Sequence, residues 1–385
     1  MVAIDERTAW IALSATVGIG EGTFWSVIAR YGGAANVLQE AARGARLIGG
    51  DDRNLPARTM TTLRETAGDP KHLLRRLDEL GIWTTTPMDA DYPTRMAVID
   101  PQPIVIYGWG DRAALERARS VAVVGTRRPT LSGRDLASRV GARLAEAGAV
   151  VVSGLAIGID GAAHAAAVAA GGQSVAVIGG GHCQPGPRAH RSLLRAILDV
   201  GGAVISEYAP DVSATKGTYP RRNRIISALG DATIVIEAPA RSGALITARH
   251  ALEQGRQLFV APGRPGDRHI AGCLALLRET DARPLIGLDE LIVDLGWDAE
   301  PGATARPPGA TLSLESALDL LGPAERAVAR RVAAGPVSAD ALVEETGLAP
   351  PVVSGAITLL MLRGWVQAFG PAYLPAGPLL TANHR

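Results

Sequence analysis

The stretch with the most chemistry in it is "TKGTYPRRNRIISAL", residues 215–229, where Lys216, Arg221, Arg222 and Arg224 crowd around Tyr219 and Asn223. Arginine binds phosphate bidentately, and an aromatic ring offers a face on which a base stacks, a contact of about 1–3 kcal/mol. Three other clusters have the same character. "GTRRPTLSG" holds Gly125, Thr126, Arg127 and Arg128; "SGLAIGIDGAAH" holds Ser153, Gly154, Gly158, Asp160 and His164; "EAPARSGALITA" holds Glu237, Ser242, Gly243 and Thr247. Turn amides and helix starts favour anions, so glycine turns beside arginines indicate a phosphate-bearing ligand, either a mononucleotide or a strand.

Single residues in these clusters also have structural roles open to them. Asp160 stands where a helix N-cap would, and His164, one turn further, reads as a packing residue. Glu237 orients a turn or an arginine, and Arg224 braces the sheet. No catalytic constellation emerges by spacing. Ser153 and Ser242 lack a spaced His and Asp, and no GxSxG, GxGxxG or GxxxxGK[ST] is present. Paired carboxylates and metal-ligand clusters are missing too, so no catalytic residue, cofactor or metal is expected.

The elements that must position these residues are legible as strand-like runs: VAVVG from Val121, AVVVSG from Ala149, SVAVIGG from Ser174, AVISE from Ala203, TIVIE from Thr233, LFVAPG from Leu258 and PLIG from Pro284. Helical patterns such as "GRDLASRVGARLAEAG" separate them. Continuous β-branched runs alternating with helices predict a doubly wound, Rossmann-like α/β domain with a mostly parallel sheet. Ligands of such sheets sit outside the carboxyl ends of the strands, the edge where the clusters fall.

Around that domain the texture changes. Residues 1–80 read as a small helical domain in which "VGIGEGTF" interrupts two helical patterns. That turn is either a tight turn in a bundle or a helix-hairpin-helix turn whose amides touch phosphate. Residues 81–298 form the α/β domain with its lead-in, including a short strand at PIVIYG. A Pro/Gly/Ala-rich linker spans 299–316. Residues 317–385 read as a winged-helix-like module, with Ser338 as an N-cap and a wing at "WVQAFGPAYL". Its would-be recognition helix, Val352 to Leu362, has no cation until Arg363, which favours a protein contact or a vestigial role over DNA reading.

The chain has 385 residues and a formal net charge of +1, so a polyanion must be met by a local patch rather than by a basic domain. Its two cysteines, Cys183 and Cys273, have no CxxC spacing, which excludes a disulfide framework. The N-terminus lacks a signal-peptide pattern and no long uncharged apolar run occurs, so a soluble, cytoplasmic protein without membrane attachment is expected.

Taken in order, "VAVVGTRRPTLSG", "VVSGLAIGIDGAAH", "AVIGGG", "SEY", "YPRRNRIISAL", "IEAPARSGALITARHALEQGR" and "VAPG" resemble the DprA/Smf family, the DNA-processing protein A proteins. The helical N-terminal region and the small C-terminal module are similar to the family's as well. The resemblance implies a non-enzymatic, homodimeric single-stranded DNA-binding protein that protects strands in natural transformation and helps load the RecA recombinase. Carried over residue by residue, Gly125, Thr126 and Arg127 match the family's DNA-lining turn. Lys216 and the Tyr219, Pro220, Arg222, Asn223, Arg224 motif match its basic and aromatic wall. Ser153, Gly154, Gly158 and Asp160, with Ser242, Gly243 and Thr247, match its two S-G turns. Two departures stand out: Cys183 and Gly186 occupy positions where the family has Asp and Tyr, and Leu274 one where it has Asn. The alternative is a nucleoside-monophosphate-processing Rossmann enzyme, but "APARSGALITARHALE" lacks the paired glycines and the acid that chemistry uses. A regulator acting through the C-terminal module is a third reading, opposed by its uncharged helix.

Overall fold

The computed structural model describes residues 4–49, 53–297, 318, 321–334, 337–362, 365–369, 372–375 and 379. The linker expected at 299–316 and Arg363 lie outside the described residues. The chain divides into two compact units, 1–303 and 304–385.

Among the described residues the first unit opens with five helices: α1 (Glu6–Ser14), α2 (Glu21–Tyr31), α3 (Ala34–Ala42), α4 (Ala57–Gly68) and α5 (His72–Glu79). Asp5 starts α1 by accepting the Thr8 amide at 2.8 Å. Phe24 and Trp25 pack edge-to-face on Trp10, with centroids 4.8 and 5.4 Å away. The glycine turn joins α1 to α2 as a tight connection, with Gly18 at φ 92° and Gly20 as the α2 N-cap. These helices are not a separate bead. Trp10 Nε1 donates to the Ile104 carbonyl, Trp109 Nε1 donates to that of Leu80, and the buried Tyr107 belongs to the helical core.

The sheet is built from β1 (Trp83–Thr85), β2 (Ile106–Gly110), β3 (Ser120–Val124), β4 (Val150–Ser153), β5 (Ser174–Val177), β6 (Ala203–Ser206), β7 (Ala232–Val235), β8 (Gln257–Val260) and β9 (Arg283–Pro284). Their order is β1-β2-β6-β5-β4-β3-β7-β8-β9. Pairing from β6 through β9 is parallel, whereas β2 runs antiparallel to β6 and to β1. The doubly wound, mostly parallel sheet read from the sequence is thus present, and the PIVIYG strand extends its edge. Period-two alternation splits the strands between two cores. Val121, Val123 and Val151 pack with the helices α6 (Leu131–Glu146), α7 (Ile159–Ala169) and a later helix at Leu288–Asp294. Ala122, Val124 and Val152 pack on the opposite face with α9 (Thr218–Leu229) and α10 (Ala244–Glu253), while α8 (Arg191–Asp199) and α11 (Ala271–Glu279) complete the cover.

Strand order reverses between β3 and β7: the chain moves from β3 out to β6 and then returns to the other side of β3. A crevice opens at the carboxyl ends there, because the loops on either side depart in opposite directions.

Among the described residues the second unit holds the helices Pro323–Ala333, Ala339–Thr346 and Pro350–Leu362, and a three-stranded antiparallel sheet from Val337–Ser338, Val366–Phe369 and Ala372–Pro375. This is the winged-helix arrangement expected. Ser338 caps its helix by accepting the Ala341 amide, and Gly347, at φ 66°, ends that helix. Val328, Leu342, Ile357 and Leu360 form the core, while Val352, Leu359 and Met361 are exposed.

Candidate nucleic-acid interface

A cavity of about 440 Å³ occupies the crevice at the switch point. Its floor is the turn after β3, where Gly125, Thr126 and Arg127 leave the sheet. That turn is pinned from two sides: the Thr126 amide donates to the Glu237 carbonyl at 2.7 Å, and the Ile159 amide donates to the Thr126 carbonyl at 3.2 Å. The second contact requires Gly158, the α7 N-cap, whose φ is 101° and whose Cβ, if present, would lie 2.4 Å from the Thr126 carbonyl oxygen. Glu237 is buried and accepts the Thr130 amide at 3.0 Å, fixing the start of α6. It orients a turn, one of the two roles its sequence position left open.

Helical spacing sorts the cationic stretch onto two faces of α9. Tyr219, Arg222, Asn223 and Ile226 face the cavity, and Lys216 lines it from the preceding loop. Arg127 extends over Tyr219, its guanidinium carbon 5.1 Å from the ring centroid. Both remain accessible, Tyr219 at 36%. An exposed cation–π contact of about 0.5–1 kcal/mol suffices to order the pair and leaves Arg127 its donors for an incoming anion. Among the described residues no carboxylate pairs with Arg127 or Lys216.

Arg222 is a different kind of cation. It is 4% exposed and donates to the Gly154 carbonyl at 2.9 Å. Asp160 lies beside it, accepting the Gly154 amide at 3.1 Å. Asp160 therefore does not cap α7, as its position had suggested; Gly158 does, and the carboxylate balances Arg222 and holds the Gly154 turn. Burial pushes the Arg222 pKa down to about 10, with Asp160 opposing the shift, so the guanidinium stays charged at neutral pH. Burial likewise raises the Asp160 carboxyl, with Arg222 opposing. The Arg222 Nε is buried without a protein partner, and an anion in the cavity would satisfy it.

The far wall is the start of α10, where Ser242, Gly243 and Thr247 line the cavity and Asn223 Nδ2 donates to the Gly243 carbonyl at 3.3 Å. Arg241, one residue before Ser242, lines it too. Arg241 was not singled out in the sequence, although its place in "PARSG" beside the matched serine was the available signal.

Two other sequence candidates lie elsewhere. Ser153 is buried in the sheet, its Oγ donating to the Val123 carbonyl at 2.5 Å. Arg224, on the opposite face of α9, puts Nη2 2.7 Å from Glu207 and 3.5 Å from Glu21, while Arg221 also pairs with Glu21. The structure does not bring Arg224 into the cavity. His164 is a buried neutral packing residue, as read from the sequence: Nδ1 donates to Ser174 Oγ at 2.6 Å, and burial lowers its pKa to about 3. The positions that depart from the family pattern also separate in space. Gly186 lines a neighbouring cavity, Cys183 is exposed, and Leu274 lies in α11 against the core.

Comparison with known proteins agrees with this geometry. Residues 83–296 match the family model described as DNA recombination-mediator protein A, and residues 308–369 match the DprA winged helix domain. A putative DNA processing protein DprA of Mycobacterium tuberculosis is 35% identical over 314 residues, covering 78% of this chain and 78% of that protein. The DNA processing protein DprA of Bacillus subtilis is 37% identical over 201 residues, 52% of this chain and 67% of that one. The X-ray structure of DNA processing protein A from Streptococcus pneumoniae superposes with a TM-score of 0.62 at 30% identity, covering 74% of this chain and 97% of that chain.

Proposed function

This chain belongs to the DNA recombination-mediator protein A family, and from that membership we propose that it binds single-stranded DNA without cleaving it, in DNA processing during transformation or recombination. The observation that carries the reading is Arg127 stacked on Tyr219 at a cavity also lined by Lys216, Arg222 and Asn223. Phosphates meet Arg127, Lys216 and the amides of the β3 turn, while a base stacks against the aromatic wall. A duplex would have to unpair to present that base, which favours single strands. Ser242, Gly243 and Thr247 complete the far wall, Gly154 holds Arg222, and Arg224 acts indirectly by fixing α9. In this proposal the protein works as a homodimer through its α/β domain, shields the strand and passes it to a RecA-type recombinase.

Fluorescence anisotropy of a labelled single-stranded oligonucleotide, with duplex competitor and a salt series, tests this. Binding should prefer the single strand. Arg127→Ala should weaken it at least about tenfold and flatten the log–log salt slope by about 0.7, the loss of one phosphate contact. Absence of binding, together with release of free base from a nucleoside monophosphate, would sink the reading. Loading is tested separately, by whether the protein speeds RecA filament growth on strands precoated with a single-strand-binding protein.

A further inference from the structure

A cavity of about 590 Å³ lies in the first unit between the N-terminal helices and the loop after β6, and none of its lining residues lines the strand cavity. Ala12, Ala15 and Thr16, at i, i+3 and i+4 along the end of α1, form one ridge. Thr62, Glu65, Thr66 and Asp69, on α4 and its C-cap, form the facing ridge. The two are fastened together: Thr16 Oγ1 lies 3.1 Å from Thr66 Oγ1, and Thr62 Oγ1 donates to the Val17 carbonyl at 2.9 Å. Residues 209–212 make the third wall. The Gly181 amide donates to the Val212 carbonyl at 2.7 Å and the Cys183 amide to that of Pro210 at 2.9 Å, which fixes this loop on the third-strand turn. The groove is preformed, so filling it costs little reordering of its walls.

We propose that this groove seats an amphipathic helix of a protein partner, its aliphatic face turned into the groove and lysine or arginine along its flanks. The helix follows from the shape. Two helical ridges built mainly of alanine and threonine let a third backbone approach closely, and packing of ridges into grooves fills such a space. A small molecule would leave the rim uncovered. Val17 is 62% exposed and Val212 41%, on walls from different segments, and only an occupant broad enough to span both takes them out of water. The charge follows from the same rim. Glu65 and Asp211 are exposed, and among the described residues neither pairs with a cation, whereas Asp69 pairs with Arg75. No lysine or arginine lines the groove. Cationic flanks therefore meet carboxylates on α4 and on the facing loop, which steers approach and fixes register, while an acidic helix is repelled. The inference stands apart from the single-strand reading, since it uses none of the strand-site residues.

The test uses the full chain and two labelled synthetic peptides of about 16 residues, long enough to hold a helix. Both carry leucine at helical spacing on one face; one has lysine on its flanks and the other glutamate. By fluorescence anisotropy, wild type should bind the lysine peptide at least about tenfold more tightly than the glutamate peptide. The double variant Glu65→Lys, Asp211→Lys, changed only at exposed positions, should reverse that preference. Val17→Ser should weaken both peptides, by about fivefold, through lost apolar burial alone. Amide-exchange protection by the lysine peptide should fall on α1, α4 and residues 209–212 and spare the turn after β3. Single-strand affinity should be the same in all these variants. Equal binding of the two peptides, a preference that survives the charge reversal, or protection elsewhere on the chain would overturn the proposal. So would a change in the sedimentation of the chain alone on Val17→Ser, because a second copy would then be what covers the groove.

Discussion

Arg127, Arg222 and Arg224 look equivalent in sequence and stand in three different states. Arg127 is exposed and, among the described residues, pairs with no carboxylate; Arg222 is buried beside Asp160, and Arg224 is clamped by Glu207 and Glu21. Their variants should separate accordingly. Arg127→Ala acts on affinity and hardly on stability, because nothing buried loses a partner. Arg224→Leu leaves Glu207, whose side chain is only 6% exposed, without its short ion pair. That should cost about 3–5 kcal/mol in urea unfolding, the penalty for breaking a buried pair, with a much smaller change in strand affinity once the protein is folded. Equal loss of affinity from both variants at unchanged stability would put Arg224 back in the strand site. The division of α9 into two faces was available from helical spacing: positions 219, 222, 223 and 226 share one face. The partner of Arg221 and Arg224 was not, because Glu21 lies about two hundred positions away and no local pattern links it to them.

At the scale of elements, that distant pairing makes α2 part of the support for the site. Glu21 sits in the first turn of α2 and meets Arg221 and Arg224 on the outer face of α9, the helix whose other face carries Tyr219. The glycine turn before it, considered in the sequence as a phosphate contact, presents a carboxylate to α9 instead. Glu21→Ala should cost about 1.5–3 kcal/mol for the lost charged hydrogen bonds and raise amide exchange in α9 and α2 together. It should also leave Arg221, whose side chain is 41% exposed, with only its 3.9 Å pairing to Glu207, so that it can turn toward phosphate and steepen the salt dependence of strand binding. Exchange confined to α2, with an unchanged salt slope, would mean that the contact does not reach the site. The parallel strands were legible because strands buried on both faces read as unbroken β-branched runs. The short β1 was not, since Trp83–Thr85 becomes a strand only by pairing with β2. The antiparallel addition of β2 to β6 is a choice of edge that composition does not encode.

For the whole molecule, a net charge of +1 leaves no general attraction for polyanions, so the pH response is set by groups inside the fold. Two buried histidines contribute to it. Burial lowers His164 from 6.5 to about 3, and burial lowers His182 from 6.5 to about 4, while its Nε2 donates to the Val204 carbonyl at 3.0 Å. The unfolded chain protonates both near pH 6.5 and the folded chain resists doing so. Their contribution to stability is therefore complete above about pH 6.5. It is lost as pH falls toward 4 for His182 and toward 3 for His164, at about 1.4 kcal/mol per unit for each. Between pH 7 and pH 5 the urea midpoint should drop measurably, while strand binding persists in whatever fraction remains folded. His164→Gln keeps a polar side chain near Ser174 and removes the titration, so its midpoint should start lower at pH 7 and fall less steeply. Parallel curves for wild type and variant would assign the acid response to other groups. The sequence placed His164 in the packing but could not give this slope, because the shift comes from how completely β4, β5 and α7 close around the ring.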